Sequence, residues 1–196
     1  MSLSKLGPVL VLGVLILTAC GNGNEDAMVR GPAPPVVMLG GGTLTSIHDG
    51  QAGSPRVKVD WEVDGAKISI SYGRPFLKGR IVGESVEPLE GRIWRLGADE
   101  ATLFTTDRDL MMGAAHVPAG EYTLWTIADG DVTELIINYE TGQWGTGYDE
   151  SRNLGRTPMV LGTLDTPAEQ LILNINDGDL RVEWGAMVAS VPILVH

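Results

Sequence analysis

The chain has 196 residues, of which 43% are apolar, 6% aromatic and 20% charged, a composition that excludes collagen-like, coiled-coil and wholly disordered proteins. Its 25 acidic residues outnumber 14 Lys and Arg for a formal net charge of −11, so the surface repels a phosphate backbone and nucleic acid is not an expected partner. The single cysteine excludes an internal disulfide and any multi-cysteine zinc or iron–sulfur site.

Residues 1–19 read as a signal peptide. Lys5 precedes an apolar run over 6–17, broken only by Gly7, Pro8 and Gly13, which leads into Thr18-Ala19-Cys20. About 12 helical residues rise about 18 Å against a hydrocarbon core of about 30 Å, so a cleaved leader is expected in place of a spanning helix. Leu17-Thr18-Ala19-Cys20 resembles a bacterial lipobox. The resemblance implies that Cys20 is acylated on sulfur and becomes the mature N-terminus, with the membrane as a partner through the lipid anchor. Gly21 follows where Asp would retain a Gram-negative lipoprotein at the inner membrane, which implies the outer membrane, on its periplasmic face or at the surface.

Residues 20–55 comprise that cysteine and a stretch rich in Gly, Pro, Ala and Asn, including Pro34-Pro35 and Gly40-Gly41-Gly42. So little apolar surface does not offset chain entropy, and a flexible tether is expected. The alternative within it is an edge strand at Val36-Val37-Met38-Leu39.

The folded domain is placed at 56–196, where the period changes to two. Val57, Val59, Trp61 and Val63 alternate with Arg56, Lys58, Asp60 and Glu62, then Asp64-Gly65 turns the chain into a second alternation through Ile68, Ile70 and Tyr72. Turn residues recur at 118–120, 129–131, 141–142 and 177–179. Between them, strands are predicted at 92–96, 101–106, 121–128, 132–139, 159–163, 170–175, 180–184 and 187–195. No window shows a helical period. The expected fold is all-β, an antiparallel β-sandwich or flattened barrel of roughly ten short strands.

Five cations, Arg74, Lys78, Arg80, Arg92 and Arg95, fall within residues 74–95, opposed only by Glu84, Glu87 and Glu90. A local reversal of sign in an acidic chain suits an anion site, since arginine forks bind carboxylate or phosphate bidentately. The competing expectation is a structural salt-bridge network with Asp99 and Glu100, in particular between Arg95 and Glu100.

Tyr72-Gly73-Arg74-Pro75, Lys78-Gly79-Arg80, the block from Trp94-Arg95-Leu96-Gly97-Ala98-Asp99-Glu100 to Thr102, Val117-Pro118-Ala119-Gly120-Glu121-Tyr122, Glu183-Trp184 and Val191-Pro192-Ile193 follow one another in the order and spacing of a known family. On these residues the domain resembles the DUF2911 family of bacterial envelope proteins, which implies an all-β envelope domain and supplies no reaction. Gly73 stands where that family usually has Ser, and Asp99 where it usually has Asn; the second departure is expected to strengthen pairing with Arg95 or Arg74. The motif positions that the resemblance offers as a site are Arg74, Lys78, Arg80, Trp94, Arg95, Asp99 and Glu100.

Glycoside hydrolysis needs two carboxyl groups about 5–9.5 Å apart, and adjacent residues on an extended strand such as Asp99 and Glu100 point to opposite faces. His48, His116 and His196 share no ligand spacing, no Gly-x-Ser-x-Gly elbow or phosphate loop occurs, and neither a metal nor another cofactor is expected. The Asp-Gly-Asp turns read as hairpin chemistry and Met111-Met112 as a hairpin approach. Trp61 and Trp184 are expected in the core, whereas Trp144, in a loop that also holds Tyr148, is the candidate stacking platform. The sequence therefore points to a lipid-anchored binding or envelope-maintenance module that takes an anionic small molecule or glycan. The alternative is a hydrolase acting on a polar envelope substrate through Glu100 and neighbouring arginines.

Overall fold

Alternation of apolar and charged residues from position 56 onward produces the centre of a large sheet. The computed structural model describes residues 36–50 and 53–196. In chain order the strands are β1 (Val37–Leu39), β2 (Gly42–His48), β3 (Arg56–Val63), β4 (Ala66–Gly73), β5 (Ile93–Trp94), β6 (Thr102–Thr106), β7 (Leu110–Met112), β8 (Ala115–Val117), β9 (Gly120–Asp129), β10 (Val132–Asn138), β11 (Asn153–Pro158), β12 (Val160–Asn176) and β13 (Asp179–Val195). Among the described residues a single 3-10 turn occupies Glu150–Arg152. The large sheet runs β1-β2-β3-β4-β6-β9-β10-β11 with β5 added to β9, and the small sheet runs β12-β13-β7-β8. All pairings between named strands are antiparallel and neither sheet closes on itself, so the fold is a two-sheet arrangement and not a flattened barrel.

The inward residues of β3 and β4, namely Val57, Val59, Trp61, Ile68, Ile70 and Tyr72, join Phe104, Leu124, Leu135 and Ile137 in one buried cluster. From the small sheet it takes in Leu110, Met112, Leu171, Leu173, Leu180, Val182, Trp184 and Val191. Period-two burial on both facing sheets is the usual basis of sandwich packing. Asp64 and Gly65 both adopt positive φ, 48° and 79°, between Val63 and its partner Ala66, the two-residue turn that the sequence announced. Across the opposite face of the large sheet a smaller cluster of Ala101, Trp125 and Ile136 is covered by Tyr148, whose ring centroid lies 5.2 Å from that of Trp125.

Three expectations are corrected. Residues 36–50 were expected to belong to the tether, yet β1 and β2 lie in this span and extend the large sheet beyond β3. Gly40 and Gly41, at φ 54° and 77°, form the tight turn, the Trp61 indole donates to the Gly40 carbonyl at 2.7 Å, and Leu39 and Leu44 pack on the core. The triple glycine is thus a hairpin seated on Trp61, for a Cβ on Gly42 would lie 2.6 Å from the indole ring. The strand expected over 92–96 shortens to Ile93–Trp94, because Leu96 turns with φ 54°. The strands expected at 159–163 and 170–175 are one strand, β12, and those at 180–184 and 187–195 are one strand, β13. Register shifts near Ala168 absorb Pro167, an edge-strand irregularity that the sequence reads as a break. The leader over 1–19, Cys20 and the tether up to residue 35 lie outside the described residues.

Candidate functional site

Among the charged residues between 54 and 100, some fasten backbone, some line a cleft, and Arg80 does both. Arg56 begins β3 and is only 11% exposed; its guanidinium donates to the carbonyls of Ser71 at 3.2 Å, Ala101 at 3.1 Å and Glu100 at 3.4 Å, and to Glu100 Oε2 at 3.3 Å. Burial lowers the Arg56 pKa while Glu100 and Asp99 oppose the shift, and a guanidinium remains charged in any case. Arg74 Nε donates to the Leu171 carbonyl at 3.0 Å and its backbone is held by Pro55 and Gln170, so it ties the two sheets together. Beside it, burial pushes the Tyr72 hydroxyl up to about 12, and that hydroxyl accepts from Leu173 N at 3.0 Å.

Lys78-Gly79-Arg80 is a turn. Lys78 and Gly79 have φ 51° and 76°, Arg80 N donates back to Leu77 O at 3.1 Å, and Lys78 N donates to Glu169 Oε1 at 3.0 Å, leaving the Lys78 side chain exposed. Arg80 uses Nε on Leu77 O and Nη2 on Phe76 O to staple that turn. The block Trp94 to Thr102 is likewise a backbone device. Leu96 is fully buried at positive φ, its carbonyl accepts from Thr102 Oγ1 at 3.0 Å, and Trp94 Nε1 donates to Gly97 O at 3.0 Å. A left-handed leucine is held only where its surroundings over-determine it, and such positions concentrate at ligand clamps. A Cβ on Gly73 would overlap the Ala98 carbonyl, which explains glycine at that position in this chain.

Asp99 has φ 63°, a conformation that Asp and Asn tolerate better than other side chains. Its carboxylate accepts from Ser54 N at 2.9 Å and pairs with neither Arg95 nor Arg74, contrary to expectation. The expected Arg95–Glu100 pair is also absent, and Glu100 is engaged by Arg56 instead. Among the described residues Arg95 forms no salt bridge.

Arg95 instead lines a cleft of about 310 Å3 together with Arg80, Arg92, Glu87, Trp94 and Trp184. Its Nη1 reaches Gly145 O at a long 3.4 Å, while its Nε is buried without a partner. Trp184 Nε1 is also buried without a partner. The carboxylate in the cleft is already committed, since Glu87 Oε1 pairs with Arg92 Nη2 at 2.9 Å and Oε2 accepts from Leu89 N at 2.8 Å. Two buried side-chain donors of the cleft residues, Arg95 Nε and Trp184 Nε1, are thus left without acceptors, while the one carboxylate is satisfied. A larger hollow of about 680 Å3 lies over β3, β4 and β6, but its charges are mixed and Lys58 is paired with Asp60 at 2.7 Å.

The structure thus brings Arg80, Trp94 and Arg95 to one cleft, keeps Arg74, Asp99 and Glu100 in backbone fastenings, and leaves Lys78 exposed on its turn. Arg92 was visible in the sequence as part of the basic run, whereas Glu87 and Trp184 carried no local signal for the cleft. Trp144 is 55% exposed and lies beside this region, not in the cleft lining: an antiparallel bridge pairs it with Glu100, and Gly145 N donates to Asp99 O at 2.9 Å. Tyr148, from the same loop, packs inward on Trp125. Among the described residues no three His, Cys, Asp or Glu side chains are grouped as metal ligands, and no helix is long and apolar enough to cross a membrane.

The chain belongs to the DUF2911 family, a family of unknown function whose sequence model matches residues 54–193. No curated protein and no solved structure matches it.

Proposed function

We propose that the domain is a binding module of the bacterial cell envelope, held at a membrane by acylated Cys20, and that the cleft bounded by Arg80, Arg92 and Arg95 receives an anionic ligand. The observation that carries this reading is the unpaired Arg95 guanidinium in a cleft whose one carboxylate, Glu87, is already satisfied. In a chain of net charge −11, three arginines gathered around one satisfied carboxylate make a local site that attracts an anion. Glu100, on which a hydrolytic role would rest, is engaged by Arg56 and is not part of the cleft, so geometry favours binding over hydrolysis.

Thermal unfolding in the presence of inorganic phosphate or succinate tests the cleft. The parent protein is expected to gain in melting midpoint with ligand concentration, and Arg95→Ala to lose that gain while its own midpoint stays near the parent value. Equal ligand-dependent shifts in parent and Arg95→Ala proteins would refute the assignment. The anchor is tested separately by labelling cells with a palmitate analogue: Cys20→Ser is expected to carry no label, and undiminished label would overturn the lipoprotein reading.

A further inference from the structure

Of the five tryptophans, Trp61, Trp94, Trp125 and Trp184 are buried and Trp144 alone is exposed. Its position is fixed by backbone: Ala101 N donates to Gln143 O at 3.2 Å, Gly145 N to Asp99 O at 2.9 Å and Gly147 N to Trp144 O at 2.8 Å. The indole is therefore displayed on a pinned turn. The flanking residues are Gly142, Gln143, Gly145, Thr146 and Gly147; the Gln143 amide turns inward, donating to Thr123 Oγ1 and Glu140 O, so the exposed neighbours of the ring in its turn are Gly142, Thr146 and Gly147. The Arg95 side chain lies directly on Gly145, where any Cβ would overlap Arg95 Cδ, so the residue that follows the exposed tryptophan is the one that packs on this cation.

We infer that the ligand of this region is an acidic saccharide, with its carboxylate or phosphate on Arg95 and a sugar ring stacked on Trp144. The inference rests on the anion reading of the cleft and extends it. A flat, weakly polar ring face two residues from the exposed Thr146 matches a pyranose, whose C–H face is apolar and whose edge is polar. A protein interface is less well matched, since it buries about 800 Å2 per partner around its aromatic anchors and the Trp144 turn supplies no apolar rim. A lipid surface calls for a broad apolar face, which one tryptophan between glycines does not present.

Isothermal titration with three probes tests this: inorganic phosphate, an oligogalacturonate and a neutral oligosaccharide of the same length. The oligogalacturonate is expected to bind more tightly than phosphate, and the neutral chain to bind weakly or not at all. Trp144→Ala should weaken oligogalacturonate binding about tenfold and leave phosphate binding unchanged, with Trp144→Phe recovering part of the loss. Arg95→Ala should weaken both acidic probes. Because Trp144 is exposed, its variants are expected to keep the parent melting midpoint, which verifies that they are folded. An oligogalacturonate bound no better than phosphate, or bound equally by Trp144→Ala, would overturn the saccharide inference while leaving the anion site standing. Absence of binding by phosphate and oligogalacturonate alike would overturn both.

Discussion

Replacing Arg56 with Ala separates the residue that holds the fold from those that face the cleft. The substitution removes a guanidinium that satisfies the carbonyls of Ser71, Glu100 and Ala101 and pairs with the Glu100 carboxylate. Glu100 is 43% exposed, so water takes over most of its carboxylate and the ion pair itself contributes little. The larger share comes from the three part-buried carbonyls that lose this donor, each worth about 1 kcal/mol, for a total of about 3 kcal/mol. In a domain of this size about 1 kcal/mol corresponds to about 2–4 °C, so Arg56→Ala is expected to lower the melting midpoint by roughly 10 °C. Glu100→Gln, which keeps the three carbonyl contacts, should cost less than about 1 kcal/mol. Urea unfolding of the parent, Arg56→Ala, Glu100→Gln and Arg95→Ala proteins provides the comparison. A midpoint for Arg56→Ala indistinguishable from the parent, or a loss for Arg95→Ala as large as for Arg56→Ala, would refute this division between clamp and cleft.

Starting the chain at residue 54 deletes β1 and β2, uncovers β3 and removes the Trp61 to Gly40 hydrogen bond; a loss of about 3 kcal/mol in calorimetric stability is expected, whereas an unchanged midpoint would show that the hairpin contributes nothing to the domain. Tyr72 supplies a pH signature. Its folded pKa of about 12 lies above the ordinary tyrosine value of 10.0, so its contribution is complete below pH about 10 and is lost as pH rises toward about 12, amounting to about 2–3 kcal/mol. Denaturant titrations across that range should show a steeper alkaline loss for the parent than for Tyr72→Phe, and parallel profiles would contradict the assignment.

Much of the architecture is encoded locally. Alternation over Arg56–Val63 and Ala66–Gly73 places every second side chain on one face, and Asp64-Gly65 supplies a two-residue turn that suits both strands; both features depend on neighbours in sequence. The basic run over 74–95 was equally visible, and Arg80, Arg92 and Arg95 do line the cleft. Tertiary structure decided the remainder. Glycines 40 to 42 read as tether by composition and became a hairpin only because Trp61 offers its ring and indole N–H to that turn. Glu100 found Arg56 across a separation of 44 residues, a contact that no local pattern expresses, and Arg95 has no acid partner among the described residues. Trp144 came to rest beside Arg95 because backbone bonds join its loop to Asp99 and Ala101. Side-chain period is a property of successive residues, whereas pairing partners and cavities are set by which strands and loops become neighbours; hence alternating strands such as β3 and β4 were legible in the sequence, whereas β2, β7, β8, β11 and the cleft were not.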